Sequence, residues 1–478
     1  MKKIVLSLFV FCGTLLFSCV SKNNQEVNVI EVYPDSIIKD ISHHPVGINL
    51  DFLMDGGRFP QAKNSVVDAL KKIGVKYLRY PGGEKSDLYL FSKPPYEKSN
   101  PALARTVGLE DYPSVFKDGK FIYDPLDFDE YMAVCREVGA EPVVVVAADN
   151  YLRKPKAGEK VATRQELLNH AVEWVRYANV KKKYNVRYWM IGNESWNTNN
   201  ENSNVNIYAQ DVIDFSKAMK AVDPSILIIP NGDSEEFFKT VILTAGDYID
   251  RLCVSNYGVF DFNAGYESYK DTTRCLIWPA QTALNAINKY ATPEQLAKWK
   301  LIVAEYGSID WAGLWQGNND MGHAIVCFDM AGQLLQESQI EFSCFWNTRW
   351  INNNKESLAD HDALDPDGNL TPTGYSLLIW NKFLGDKMVR CHSKNNESII
   401  PYASFSPKEN RLFVYLINKG SEVEKVAIKT QNEKNIIQSW EYYGNDDKDI
   451  NPVWREKVPS SEYIELAGYS ITIIEYQL

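Results

Sequence analysis

Between about residue 46 and residue 380, eight short apolar runs alternate with stretches of helical periodicity. That alternation leaves few folds open to the chain. The runs are "VGINLDF", "VKYLRYPGG", "EPVVVVAAD", "VRYWMIGNE", "ILIIPNG", "RLCVSNYG", "KLIVAEYG" and "FSCFWNTR". The helical stretches are "SVVDALKKIG", "FDEYMAVCREVG", "RQELLNHAVEWVRYA", "AQDVIDFSKAMKAV", "AQTALNAINKYA" and "GHAIVCFDMAGQLLQES". Thr163 and Glu166 are spaced as a capping box for the third of these. Nearly continuous apolar strands are what a parallel sheet buried on both faces requires. Eight strand–helix units predict an α/β fold, a (β/α)₈ barrel over residues 41–384.

The last hundred residues change character. "RLFVYLINKG", "EKVAIKT", "NIIQSWEYYG" and "GYSITIIEYQL" are short alternating strands between Gly, Asn and Asp turns, predicting an antiparallel β-sandwich over 385–478. Residues 25–40 are also β-like and are expected to add a strand to it. Residues 1–18 form a targeting segment: Lys2-Lys3, then the apolar "IVLSLFVFCGTLLFS", too short for a comfortable span. Ending at Cys19, it resembles a bacterial lipoprotein signal, which implies lipidation of Cys19 and a lipid-anchored protein of the cell envelope. Secretion without the lipid is the alternative. The six cysteines beyond the signal are scattered singly; Cys135, Cys253, Cys327 and Cys344 fall in apolar patterns and read as small buried hydrophobes. No cysteine spacing resembles a zinc site, and no metal or cofactor is expected.

A net charge of −11 argues against nucleic acid as a partner. The 12 Trp and 27 Tyr exceed what a core requires and would serve as stacking platforms for sugars. Two long connections, after "YPGG" and after "SNYG", carry many of these rings, among them Phe260 and Trp278. Gly82-Gly83 reads as a tight turn and "DPDGN" at 365–369 as another. The basic residues Arg153, Lys154, Lys156 and Lys160 read as a solvated face, with an anionic sugar as the functional alternative.

Two of the eight runs carry a glutamate toward their C-terminal end. Glu194 ends the fourth and Glu305 the seventh, at the barrel end where catalytic groups collect. A buried glutamate is costly unless it is paired or has work to do. Two carboxyls facing each other at about 5–5.5 Å suit retaining glycoside hydrolysis, one as acid and one as nucleophile.

Asn193-Glu194 after strand four and Glu305 after strand seven resemble clan A of the glycoside hydrolases, the retaining (β/α)₈ enzymes. The resemblance implies Glu194 as acid/base and Glu305 as nucleophile. It further implies Asn193 as a hydrogen-bond partner of the sugar, Tyr257 as the residue orienting Glu305, and Trp346 as a stacking floor. "YLRYPGG", "WMIGNESW" and the trailing sandwich are most similar to the α-L-arabinofuranosidase family, which implies Arg79 supporting the nucleophile's charge and an oligo- or polysaccharide substrate. Two positions depart from that family: Ala304 stands where an acidic residue is usual, and Asn256 where a histidine is usual before Tyr257. Trp196 and Trp311 are further candidates for sugar contact, with Asn256 beside Tyr257 as another. Within the enzyme class the alternative is an endo-acting polysaccharide hydrolase. The alternative of another class is a catalytically silent carbohydrate-binding lipoprotein, which would need neither glutamate.

Overall fold

The computed structural model describes residues 27–96, 103–105, 109, 112–197, 204–315, 317–350, 359–394, 398–431, 434–458 and 463–478. The targeting segment 1–18 and Cys19 lie outside the described residues. Eight strands form one parallel sheet: Val46–Asn49, Tyr77–Tyr80, Glu141–Val146, Tyr188–Ile191, Leu227–Pro230, Leu252–Asn256, Leu301–Tyr306 and Ile340–Phe345. Each pairs with its chain neighbour, and the first pairs with the eighth. Between the fifth and sixth strands only an isolated bridge, Asn231 to Cys253, draws the sheet nearly shut. This is the (β/α)₈ barrel.

Both faces of each strand are buried, which is why the runs read as almost unbroken apolar sequence. Alternate residues serve different cores. Tyr77, Val143, Val145, Tyr188, Met190, Ile302 and Phe342 fill the barrel interior, with Tyr77 stacked on Phe342 at 4.0 Å. Leu78, Val144, Trp189, Ile228 and Val303 face out to the helices.

Six helices lie where the periodicity predicts. The Thr163–Glu166 capping box is present at the start of Arg164–Val175. Two further helices, Glu235–Ala245 and Pro372–Phe383, were not legible. The first is dense in Phe, Val and Ile, so its short apolar stretch reads equally as strand. The second carries Gly374 one turn in, which blurs its period despite the Thr371 cap and Pro372 at its first turn.

The second body is a nine-stranded sheet. In hydrogen-bonded order its strands are Val453–Lys457, Asn435–Tyr443, Ser470–Gln477, Arg411–Asn418, Ile399–Ser406, Lys387–Ser393, Asn28–Asp40, Glu424–Thr430 and Ile464–Leu466. The sheet closes over its own core: Val414 and Ile474 pack with Ile30, Val426 and Leu466 from its other end. Asn28–Asp40 is an interior strand of this sheet, antiparallel to Lys387–Ser393 and parallel to Glu424–Thr430. Among the described residues all six cysteines are free, and Cys135, Cys253, Cys327 and Cys344 are buried.

Candidate active site

The C-terminal mouth of the barrel opens into a cavity of about 820 Å³. Glu194, Glu305, Tyr257 and Trp346 line it. Neither glutamate stands at a strand terminus as the sequence reading had it. Glu305 is the penultimate residue of the seventh strand, and Glu194 lies three residues beyond the fourth.

Strict alternation would turn Glu305 away from the mouth, because Ile302 and Ala304 already face inward. A bulge intervenes. Val303 pairs with Val254 but Glu305 pairs with the next residue, Ser255, so the seventh strand has one extra residue there. Such bulges re-aim a side chain, and this one brings Glu305 round to the mouth. Its Oε1 accepts from Arg79 Nη1 at 2.9 Å and its Oε2 from the Tyr257 hydroxyl at 2.7 Å. Burial and the two nearby glutamates raise the Tyr257 phenol well above its ordinary range, so it remains a donor.

Arg79 is almost wholly buried and serves three oxygen acceptors, with its Nε on Met190 Sδ at 3.3 Å. Besides Glu305 it donates to Asn49 Oδ1 and Asn193 Oδ1, each at 2.7 Å. Asn49 in turn donates to the carbonyls of Ala304 and Phe345, tying the first strand to the seventh and eighth. A planar fork with several donors makes this possible where a lysine could not.

Glu194 sits in a turn with left-handed backbone at φ 45°, two residues after Gly192 at φ 72°. A non-glycine residue there costs on the order of 1 kcal/mol, and such strain clusters at functional sites. The turn is held from its sides: the Ser195 amide donates to Asn231 Oδ1 at 3.0 Å, and the Gly192 amide to the Val146 carbonyl. Burial first, then the nearby Glu305, push the Glu194 carboxyl up to about 8, against a bond from Ser255 that lowers it. One carboxyl is thus kept protonated near neutrality beside another held by two donors.

Gly83 completes the floor. A Cβ on it would stand 2.5 Å from Glu305 Oε1 and 2.7 Å from the Trp346 ring, so only a glycine lets the chain pass here. Trp196 and Trp311 also line the cavity, Trp311 half exposed and edge-on to Tyr257.

Asn256 is a correction. Its side chain is fully buried and engaged at both ends, donating to the Leu276 carbonyl and accepting from the Ala280 amide. It anchors the loop after the sixth strand and does not line the cavity. Asn193 is buried beside the two glutamates, its Oδ1 taken by Arg79. Arg153, Lys154, Lys156 and Lys160 stand outside the cavity.

A family profile described as "Alpha-L-arabinofuranosidase 1 domain" matches residues 69–274. Among solved structures, one described as arabinofuranosidase superposes with a TM-score of 0.71 at 20% identity, covering 94% of this chain and all of that one. The α-L-arabinofuranosidase of Thermotoga maritima, in its arabinose complex, does so at 0.65 and 19%, again over 94% of this chain and all of the other. The fold is the one these α-L-arabinofuranosidase structures have. A bifunctional glucanase-xylanase from a metagenome shares it too, at a TM-score of 0.61 and 14% identity, over 94% and 99% of the two chains. Among curated sequences, a probable α-L-arabinofuranosidase C of Aspergillus niger is 27% identical over 187 residues, 35% of this chain and 32% of its own. An intracellular exo-α-(1→5)-L-arabinofuranosidase of Acetivibrio thermocellus is 23% identical over 240 residues, 45% and 44% of the two chains. The chain thus spans about a third of the length of most curated relatives it matches.

Several residues of this site escaped the sequence reading. Asn49 was detectable as a lone amide inside an apolar strand. Ser255, on the sixth strand, carries no such signal, because a serine in an apolar strand is common. Tyr112, Asp233 and Trp350 come from loops and Glu84 from the short 3₁₀ turn Glu84–Asp87; they reach the cavity only through the fold.

Proposed function

We propose that this chain is a retaining glycoside hydrolase of the α-L-arabinofuranosidase kind, exported and anchored through a lipid on Cys19. The observation that carries it is the pairing of Glu305, held by Arg79 and Tyr257, with Glu194, kept protonated near neutrality, in one aromatic-walled cavity. Glu194 protonates the departing glycosidic oxygen while Glu305 attacks the anomeric carbon, forming a glycosyl ester. Glu194, now a base, then takes a proton from water, whose oxygen displaces Glu305 and restores the original anomeric configuration. Asn193, with Oδ1 committed to Arg79, would offer its amide donor to a sugar hydroxyl. Export rests on the Lys2-Lys3 head, the apolar run and Cys19.

The test is hydrolysis of an aryl α-L-arabinofuranoside with the first-formed product followed by NMR. Retained configuration is expected, with turnover abolished in Glu305→Ala and partly restored by azide as the inverted glycosyl azide. Full activity of that variant rejects the nucleophile assignment. Turnover of no glycan, with measurable sugar binding, favours the silent module. A second reading, an endo-acting hydrolase, draws on the cavity's size and the exposed Trp278 and Trp311 on its rim. Products from a defined polysaccharide set separate the two.

A further inference from the structure

The basic run after the third strand left an anionic sugar open as a ligand, but the cavity itself has the opposite character. Four carboxyl groups line it: Glu194, Glu305, Glu84 and Asp233. No lysine or arginine is among the described lining residues. Among the described residues two buried cations, Arg79 and Lys85, bear on its walls. Arg79 is committed to Glu305, Asn49 and Asn193. The Lys85 ammonium, buried, sits 4.8 Å from the Tyr112 ring centre and 5.3 Å from that of Trp350, with Glu84 Oε2 at 3.5 Å.

Glu84 follows Gly83, whose backbone lies against Glu305, and its exposed side chain lines the cavity. Asp233, also exposed, enters from the loop after the fifth strand. Beyond these acids the rim is apolar and open: Trp278 and Trp311 are about half exposed and Phe260 somewhat less. Rings of this kind stack on the uncharged faces of sugars, and carboxylates accept hydrogen bonds from their hydroxyl pairs. A negative group entering the cavity would meet like charge on Glu84 and Asp233, a repulsion that salt screens because both side chains are exposed.

We infer that this cleft selects uncharged glycans and rejects chains bearing uronate or sulfate, with Glu84 and Asp233 as the residues that set the selection. The inference rests on the glycoside hydrolase reading and deepens it. Glu84 and Asp233 accept hydroxyl donors of a neutral sugar; the same two side chains repel an anionic one. The basic residues Arg153, Lys154, Lys156 and Lys160 stand outside the cavity and take no part in this selection.

The experiment uses a neutral arabino-oligosaccharide and the same oligosaccharide oxidised at its primary hydroxyls to carboxylates. Binding of each to the Glu305→Gln protein is measured by calorimetry in 20 mM and 500 mM salt, with a thermal melt to establish folding. The expected result is at least tenfold weaker binding of the oxidised form at low salt, a gap that narrows at high salt as charges are screened. Adding Glu84→Gln and Asp233→Asn should shrink the gap below threefold; both side chains are exposed, so these changes leave the core untouched. Equal affinity for the two glycans, a gap unchanged by the amide substitutions, or binding of neither overturns the inference. Failure of the hydrolase reading shows separately, as wild-type protein that cleaves no bond of the neutral oligosaccharide.

Discussion

Arg79 Nη1 lies 2.9 Å from Glu305 Oε1, and both side chains are almost wholly buried. The pair joins the second barrel strand to the seventh across the interior, and the same guanidinium reaches Asn49 and Asn193. A buried ion pair of this kind is a device for geometry more than for net stability, since its desolvation cost offsets much of its attraction.

Replacing Arg79 by lysine keeps the charge and loses the fork. We predict that kcat/KM falls on the order of a hundredfold or more, as when a preorganised donor is removed from a reacting centre. Unpaired asparagine oxygens beneath the site should also lower unfolding free energy by roughly 1–3 kcal/mol. Steady-state kinetics and denaturant melts on the same preparation read both effects.

The pH dependence follows from Glu194. An acid catalyst must be protonated, and burial together with Glu305 raises this carboxyl to about 8. Activity should therefore persist through neutrality and fall as pH rises through about 8, with the limb belonging to the interacting carboxyl pair. The limb should be weak for aryl glycosides whose leaving group departs without protonation. A kcat/KM profile that falls already above pH 5 would contradict the assignment.

Gly83→Ala isolates close approach from charge. The added methyl would stand 2.5 Å from Glu305 Oε1 and 2.7 Å from the Trp346 ring, closer than carbon contacts allow. We expect a folded protein with turnover down at least tenfold, since small misplacement at a reacting centre is costly. Tryptophan fluorescence should shift as Trp346 gives way.

Stability should decline between pH 6.5 and 8. Burial raises Asp51 and Asp362 to about 7, and Glu194 is raised to about 8, whereas their ordinary values are 3.8 and 4.5. In that window the native state binds protons that the unfolded chain has lost, so ν_U − ν_N is negative and stability falls as pH rises. Their contribution is full below the unfolded values and lost as pH climbs through the folded ones. The limit is about 1.4 kcal/mol per pH unit for each group. Buried His170, lowered to about 3, acts oppositely: its contribution is lost as pH falls below 6.5, which is why the test belongs above that value. Denaturant midpoints at pH 6.5 and 8 decide it; a midpoint that rises with pH would mean these carboxyls are ionised when folded.

Much of the barrel was legible because its physical cause is local. A strand buried on both faces must be apolar along its length, and eight such runs separated by amphipathic helices leave little else to build. The two long helices that were missed, Glu235–Ala245 and Pro372–Phe383, are those whose local pattern is ambiguous and whose packing decides.

At the site the division is sharper. Sequence by itself determined that Glu194 and Glu305 close apolar runs, and so that two carboxyls come near one end of the barrel. Where they point was decided elsewhere. Period-2 alternation turns Glu305 outward, and only the bulge against the sixth strand brings it to Arg79 and Tyr257. Glu194 depends on a left-handed turn clamped from the neighbouring strand by Asn231. Asn256 looked equally well placed, yet both ends of its amide serve the loop. Glu84 and Asp233 meet across a cavity that no local pattern encodes. Periodicity records which residues are buried, because burial is set by neighbours a few positions away; direction at a strand end is set by pairing with strands distant in the chain, and only tertiary structure supplies that.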